Sequence, residues 1–348
     1  MTSLVESFPR ESPTILHRLA HWVEASPHSP CLLDGENDLE LDYAEFDRLT
    51  NRVAHLFLSW GIEPGQRVSL YSDNALLSAL VMFGAWKTGA AFCPVNPQLT
   101  GDLLAYTLQD LDASLLISDA ALLGEVQEVL EALQLDTAVA VNVDPAVARA
   151  DEPLNDAEEN RVAGLARFRC SDAGDGAALP VVIDAHDVCS IIYTSGTTGR
   201  PKGVVQKHAW LHALCATQAT WTHADDVIHC DLPMHHIGGA FSLFARGLWA
   251  GASVALWDRF SGGHYWDRIR RSGASIALLI DVMVDWLLDA PEDFRDRDNS
   301  LAKVHMQPLT DKHLPLANRF SIDYIVAAYG SSEVGNALLG FVDEHGQA

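Results

Sequence analysis

Basic side chains are scarce in this sequence. Lys and Arg number 23 against 47 Asp and Glu in 348 residues, a formal net charge of −24. A field of that sign repels nucleic acid and anionic lipid, so neither is an expected partner. Any anionic ligand must instead meet locally positive ground; most of the acid is solvated surface. The start, MTSLVESFPRESP, has no basic segment followed by an apolar run, so no secretory signal is expected. The apolar stretch from Ala75 to Trp86 is too short to span a bilayer. Cys31, Cys93, Cys170, Cys189, Cys215 and Cys230 are scattered, with no Cys-x-x-Cys pair. That argues against a disulfide framework or a thiolate metal site, and for reduced thiols in a cytoplasmic protein. No repeat of fixed period is visible.

What is present is an alternation of short apolar runs and longer amphipathic ones. Arg67–Tyr71, Ala91–Val95, Ser114–Ser118 and Thr137–Val143 read as strands; Asn74–Thr88 (stopped by Gly89), Gly101–Leu111 and Ala120–Leu133 read as helices. Strands separated by helices of this length predict parallel β-α-β units. The acidic, Gly- and Ala-rich segment 144–184 reads as a surface connection. A second series follows. Its strands are Val188–Tyr193, Val227–Leu232, Ala252–Leu256, Ser275–Ile280, Lys303–Met306 and Tyr324–Ala328. Its helices are near His208–Thr220, Phe241–Trp249, Gly263–Ser272 and Val282–Asp289. Two α/β sub-domains are expected, 1–183 and 184–348.

The densest chemistry lies in IIYTSGTTGRPKG, residues 191–203. An apolar strand runs into Thr194, Ser195, Gly196, Thr197, Thr198 and Gly199, with Lys202 near the end. Glycines let successive backbone N–H groups converge on an anion; hydroxyls add donors and the lysine adds a mobile charge. This is locally positive ground for a triphosphate. It is not the P-loop of NTPases, because Pro201 precedes Lys202 and Gly203 follows it.

The string YTSGTTGRPKG resembles the phosphate-binding signature of the adenylate-forming superfamily, which includes acyl-CoA synthetases, non-ribosomal peptide adenylation domains and beetle luciferases. Two further motifs fall in the family's order. Leu232-Pro-Met-His-His-Ile-Gly-Gly239 is similar to its "LPxFHxxG" segment. The resemblance puts His236 beside the acyl carboxylate, while His235 stands where many members have an aromatic. Tyr329-Gly-Ser-Ser-Glu333 resembles "YGxTE", with Ser332 in place of threonine. The resemblance implies that Tyr329 stacks on adenine and that Gly330 approaches the α-phosphate. It also implies that Ser331 and Ser332 belong to the nucleotide site and that Glu333 helps hold Mg²⁺. Phe83–Pro97 resembles an architectural helix–turn–strand segment, in which Lys87 is expected to be a solvated cation at a helix end. Weak histidine spacing argues against a metal site from His229, His235 and His236.

The sequence also departs from the family. Where many members carry a "GGAPL"-type segment, this chain reads Val304-His-Met-Gln-Pro-Leu309. In that respect it is similar to carnitine- and crotonobetaine-type CoA ligases, which suggests a cationic or short polar acid. The family's barrel-completing strands, ribose-gripping aspartate and mobile carboxyl-terminal lysine would all lie beyond the fifteen residues after Glu333.

The resemblance therefore implies a mostly parallel α/β amino-terminal part with an incomplete β-barrel and no carboxyl-terminal domain. The implied reaction joins a carboxylic acid and ATP with Mg²⁺ to give an acyl-adenylate, then a coenzyme A thioester. Lys202, His236 and Glu333 are the expected catalytic groups. These residues alone are not expected to turn over. The alternative is a non-catalytic nucleotide-binding or scaffold module on the same fold.

Overall fold

The computed structural model describes residues 12–135, 137–142, 166–169, 174–179, 182–194 and 199–342. The chain opens with α1 (Ile15–Ala25), then β1 (Pro30–Asp34) and β2 (Leu39–Asp42). Helix α2 (Tyr43–Ser59) starts on a reciprocal cap: the Asp42 carboxylate accepts from the Glu45 N–H and the Glu45 carboxylate from the Asp42 N–H. There follow β3 (Arg67–Tyr71), α3 (Ala75–Thr88), β4 (Ala91–Val95), α4 (Gly101–Leu111), β5 (Leu115–Asp119), α5 (Leu123–Leu133), β6 (Ala138–Asn142) and β7 (Ala166–Phe168). The rest comprises β8 (Val188–Thr194), β9 (Lys202–Lys207), α6 (His208–Gln218), β10 (Val227–Cys230), a wide helix at Gly238–Ala245 and α7 (Arg246–Ala250). After these come β11 (Ser253–Leu256), α8 (Tyr265–Ser272), β12 (Ile276–Leu279), α9 (Asp281–Asp289), β13 (Lys303–Met306), α10 (His313–Phe320), β14 (Tyr324–Ser331) and β15 (Gly335–Phe341).

Two sheets result. One has the order β15-β14-β13-β12-β10-β11-β1-β2 and the other β7-β6-β5-β3-β4-β8-β9. Inner pairs are parallel, as alternating strands and helices dictate; β2, β9 and β15 add antiparallel edges. Sheet membership crosses residue 183. β1 pairs with β11, Leu32 beside Val254, while β8 joins β4 in the other sheet. No closed barrel is present among the described residues.

Helix α3 explains the packing. All its residues except Lys87 are buried, so it is apolar all round and must lie inside. Phe83 meets Phe46 of α2 at 5.2 Å and Phe244 of the wide helix at 6.0 Å between ring centroids. Trp86 Nε1 donates to the Cys189 carbonyl of β8 at 2.6 Å. The central helices thereby bind one sheet to the other.

Three expectations change. Lys87 is not solvated: its ammonium is buried and donates to the Asp47 carboxylate (2.7 Å), Asn51 Oδ1 (2.7 Å) and Thr50 Oγ1 (2.8 Å). It locks α3 to α2, and burial pushes its pKa down against the opposing pull of Asp47. The connecting segment 144–184 is mostly outside the described residues, but it contributes β7, paired with β6. The helix expected at Phe241–Trp249 starts at Gly238, with wide turns. There a Cβ on Gly239 would fall 2.4 Å from the Leu232 carbonyl oxygen and 2.5 Å from that of Pro233. Only glycine lets the helix begin so close to the preceding turn.

Candidate nucleotide site

The Gly/Thr/Ser run closes a hairpin. β8 ends at Thr194 and β9 begins at Lys202, directly opposite it; Tyr193 faces Gly203. Ser195, Gly196, Thr197 and Thr198 lie outside the described residues. Gly199 has φ +109°, with open space on its Cβ side. Helix α4 braces the hairpin from below. Tyr193 Oη donates to Asp110 at 2.6 Å, and the Arg200 guanidinium lies 4.8 Å from the centre of the Tyr106 ring. Lys202 itself is exposed.

The tyrosine motif sits on a second hairpin. β14 continues past Ala328 to Ser331, so Tyr329, Gly330 and Ser331 are strand residues and Ser332–Val334 form the turn into β15. Gly330 lies opposite Asn336 and Ser331 opposite Gly335. The Tyr329 side chain is 72% exposed, which leaves its ring face open for stacking.

The two hairpins converge although each belongs to a different sheet. The Glu333 carboxyl is held below its usual pKa, first by the Ser331 hydroxyl, then by its own N–H, and also by the Lys202 ammonium. No hydrogen bond or ion pair joins Lys202 to Glu333 among the described residues, so the tie between the hairpins lies elsewhere. A buried amide supplies the mechanical tie. Ser190 Oγ donates to Gln206 Oε1 at 2.6 Å, and Gln206 Nε2 donates to the Ser332 carbonyl at 2.9 Å. Gln206 and Ser190 are both buried, so this bridge is shielded from competing water.

Gln206 was not legible as a site residue. The one signal for its strand was the β-branched pair Val204–Val205 directly after the glycine-rich loop. Gln206→Leu removes the bridge and leaves the Ser190 hydroxyl and the Ser332 carbonyl unpaired. A buried polar group so orphaned costs about 1–3 kcal/mol. With about half of that falling on the geometry of the turn, ATP affinity drops roughly 2- to 12-fold, as calorimetry would read. Unchanged affinity would mean that the turn is held without this bridge.

His236 follows β10, on the same carboxyl edge of the sheet as the tyrosine motif. The Gly238 N–H donates to His236 Nδ1 at 3.2 Å. The side chain is exposed, yet the surrounding protein displaces enough solvent to lower its pKa. The ring is therefore neutral near pH 7. With Nδ1 accepting, the proton sits on Nε2, which has no hydrogen-bond partner among the described residues. His235 is pushed down to about 4, by burial first and by His236 second. Among the described residues no hydrogen bond joins His236 to Lys202, Tyr329 or Glu333. His229, the penultimate residue of β10, is buried against Asp231 (3.1 Å) and the Tyr265 ring (centroids 5.2 Å). No group of three or more His, Cys, Asp and Glu is arranged to hold a metal among the described residues. The glycine-poor segment begins inside β13, as Val304–Met306, and leaves it through a cis Gln307–Pro308 bond, with the Gln307 N–H donating to the Leu279 carbonyl.

Comparison with known proteins agrees with this architecture. The chain is 29% identical over 308 residues to the crotonobetaine/carnitine–CoA ligases of Salmonella heidelberg and Salmonella typhimurium, covering 86% of this chain and 57% of theirs. It thus spans little more than half the length of these curated relatives. The N-terminal domain of FACL13 from Mycobacterium tuberculosis superposes with a TM-score of 0.74 at 23% identity, covering 94% of this chain and 78% of that one. The luciferase-like enzyme of the nonluminescent mealworm Zophobas morio gives 0.79 at 18% identity, with 95% and 76% covered. The family model for AMP-binding enzymes matches residues 19–347, and the chain belongs to that family.

Proposed function

We propose that this chain forms the ATP and acid-activating part of an AMP-forming acyl-CoA ligase. The reaction is attack of a carboxylate oxygen on the α-phosphorus of ATP, giving acyl-adenylate and pyrophosphate. Coenzyme A thiol then displaces AMP to form the thioester. The observation that carries the reading is the hydrogen bond from Gln206 Nε2, on the hairpin that carries Lys202, to the Ser332 carbonyl beside Glu333, which ties two motif hairpins from separate sheets together. In-line phosphoryl chemistry needs positioning and charge neutralisation more than covalent help. Lys202 and the backbone of the Thr194–Gly203 hairpin neutralise the leaving pyrophosphate. Tyr329 offers a stacking face to the adenine. His236 donates from Nε2 to the carboxylate of the acid.

Glu333 fits Mg²⁺. It is an exposed carboxylate kept anionic by its neighbours, and Mg²⁺ takes few protein ligands beside phosphate and water. When bound, the ion neutralises phosphate oxygens. The names of the Salmonella relatives, together with the glycine-poor segment at Val304–Leu309, favour a short polar or cationic acid.

The test is ATP–pyrophosphate exchange across a panel of carboxylic acids, by this chain and by the product of its natural gene, should that product be longer. Exchange that requires an added acid, and is faster with a betaine-like acid than with palmitate, is the expected result. No acid-dependent exchange by any form, with ATP still bound, would turn the reading toward a nucleotide-binding module.

A further inference from the structure

A second polar cluster lies where the wide helix and α7 meet the end of α6 and one face of β13. Arg246 begins α7 and is fully buried. None of its three guanidinium nitrogens has a hydrogen-bond partner among the described residues. The guanidinium stacks on Trp221, 4.4 Å from the ring centre, and Trp221 meets the His305 ring edge-on at 6.0 Å. His305 and Lys303 alternate onto one face of β13, and Lys303 Nζ reaches the Trp221 carbonyl at 3.4 Å. Both His305 ring nitrogens, Trp221 Nε1 and Gln218 Oε1 are buried and equally unpartnered.

The one carboxylate whose field acts on Arg246 is already committed. Asp226 accepts from Lys303 Nζ (2.8 and 3.0 Å), the Ser275 hydroxyl (2.8 Å) and the His223 N–H (2.8 Å). Burial lowers the Arg246 pKa only to about 10, so the group stays cationic at neutral pH. His305 is pushed down to about 3, by burial and then by Arg246, and is neutral. The cluster therefore holds an uncompensated positive charge and far more donors than acceptors: a guanidinium alone carries five N–H groups. A buried charge left in that state is strongly unfavourable. What answers it must be negative, rich in acceptors and small enough to be enclosed beside Trp221.

We propose that Arg246, Trp221 and His305 form a binding site for a small monovalent anion of halide or carboxylate size, built from none of the nucleotide-motif residues. The anion accepts from the guanidinium edge and from Trp221 Nε1, while the Trp221 ring covers the guanidinium face. The source is either a free ion or the carboxylate end of a short organic acid, and the two are distinguishable.

The experiment is thermal unfolding of the chain in chloride, formate or succinate, each against gluconate at equal ionic strength. Gluconate is too bulky to be enclosed. Binding to the native state alone raises the midpoint, here by about 3 °C or more at saturation. Stabilisation by chloride and formate marks a free-ion site; stabilisation by succinate alone marks the end of an organic acid. Arg246→Met should abolish the shift while unfolding in gluconate no earlier than wild type, since an apolar replacement removes the unpaired charge. Should that variant not fold, Arg246→Lys decides: it keeps the charge, loses the fork, and should need at least about ten times more anion for half the shift. Equal wild-type midpoints in all four salts overturn the proposal. So does a shift that survives Arg246→Met, or an unchanged half-saturation in Arg246→Lys.

Discussion

Gly330→Ala should disrupt the β14–β15 hairpin and abolish nucleotide binding. A Cβ built on Gly330 falls 2.0 Å from the Gly335 carbonyl oxygen, 2.9 Å from its carbon and 3.0 Å from Asn336 Cα. All three are backbone atoms of the paired strand, so no side chain can swing aside. The ladder must part where Gly330 faces Asn336 and Ser331 faces Gly335, next to an irregularity already present at Tyr329. Overpacking against fixed backbone costs about 2–3 kcal/mol or more. The displaced turn carries Ser332 and Glu333, so the Gln206 bridge and the approach of Glu333 to Lys202 go with it. Urea unfolding should register the lost stability and calorimetry the lost ATP binding. An alanine variant within roughly 0.5 kcal/mol of wild type would place the two strands in a different register. Resemblance to known sequences explains this glycine by its approach to phosphate. The structure adds a cause that operates before any ligand arrives.

That contrast runs through the molecule. Helix α3 was legible because its signals are local: an Asn74 cap, an apolar run and the left-handed Gly89 stop all lie within sixteen residues. The strands of the parallel series were legible for the same reason. The assignment of β1 and β2 to the far sheet was not. Leu32 pairs beside Val254, and nothing in either segment names a partner so distant. Lys87 was misjudged because a helix-end lysine is usually solvated; its buried state depends on Asp47, Thr50 and Asn51 of another helix. The nucleotide motifs stood out by composition, yet what joins them is one glutamine whose two bonds span sheets. Arg246 gave no sign at all, since an arginine in a helix is ordinarily at the surface.

Lys202→Ala should separate ligand binding from stability. Lys202 is exposed, and removing an exposed charge costs folding little. The unfolding midpoint should therefore stay within about 0.5 kcal/mol of wild type. Glu333 also stays anionic, because its largest stabiliser is the Ser331 hydroxyl and only a lesser part comes from Lys202. Nucleotide binding meets the opposite fate. A chain carrying −24 overall offers few cations to a triphosphate, and Lys202 is the lysine that the β8–β9 hairpin presents. A charge-assisted hydrogen bond contributes about 1.5–3 kcal/mol, so ATP affinity should fall roughly 10- to 100-fold. Acid-dependent ATP–pyrophosphate exchange should fall further, roughly 100- to 1,000-fold, because charge on the leaving pyrophosphate grows toward the transition state. His229→Ala supplies the control. Its ring is buried between Asp231 and Tyr265, so the variant should lose stability and keep its ATP affinity once folded. Equal ATP affinity in wild type and Lys202→Ala would remove the hairpin lysine from the site. Lys202 would then be an ordinary solvated lysine at the start of β9.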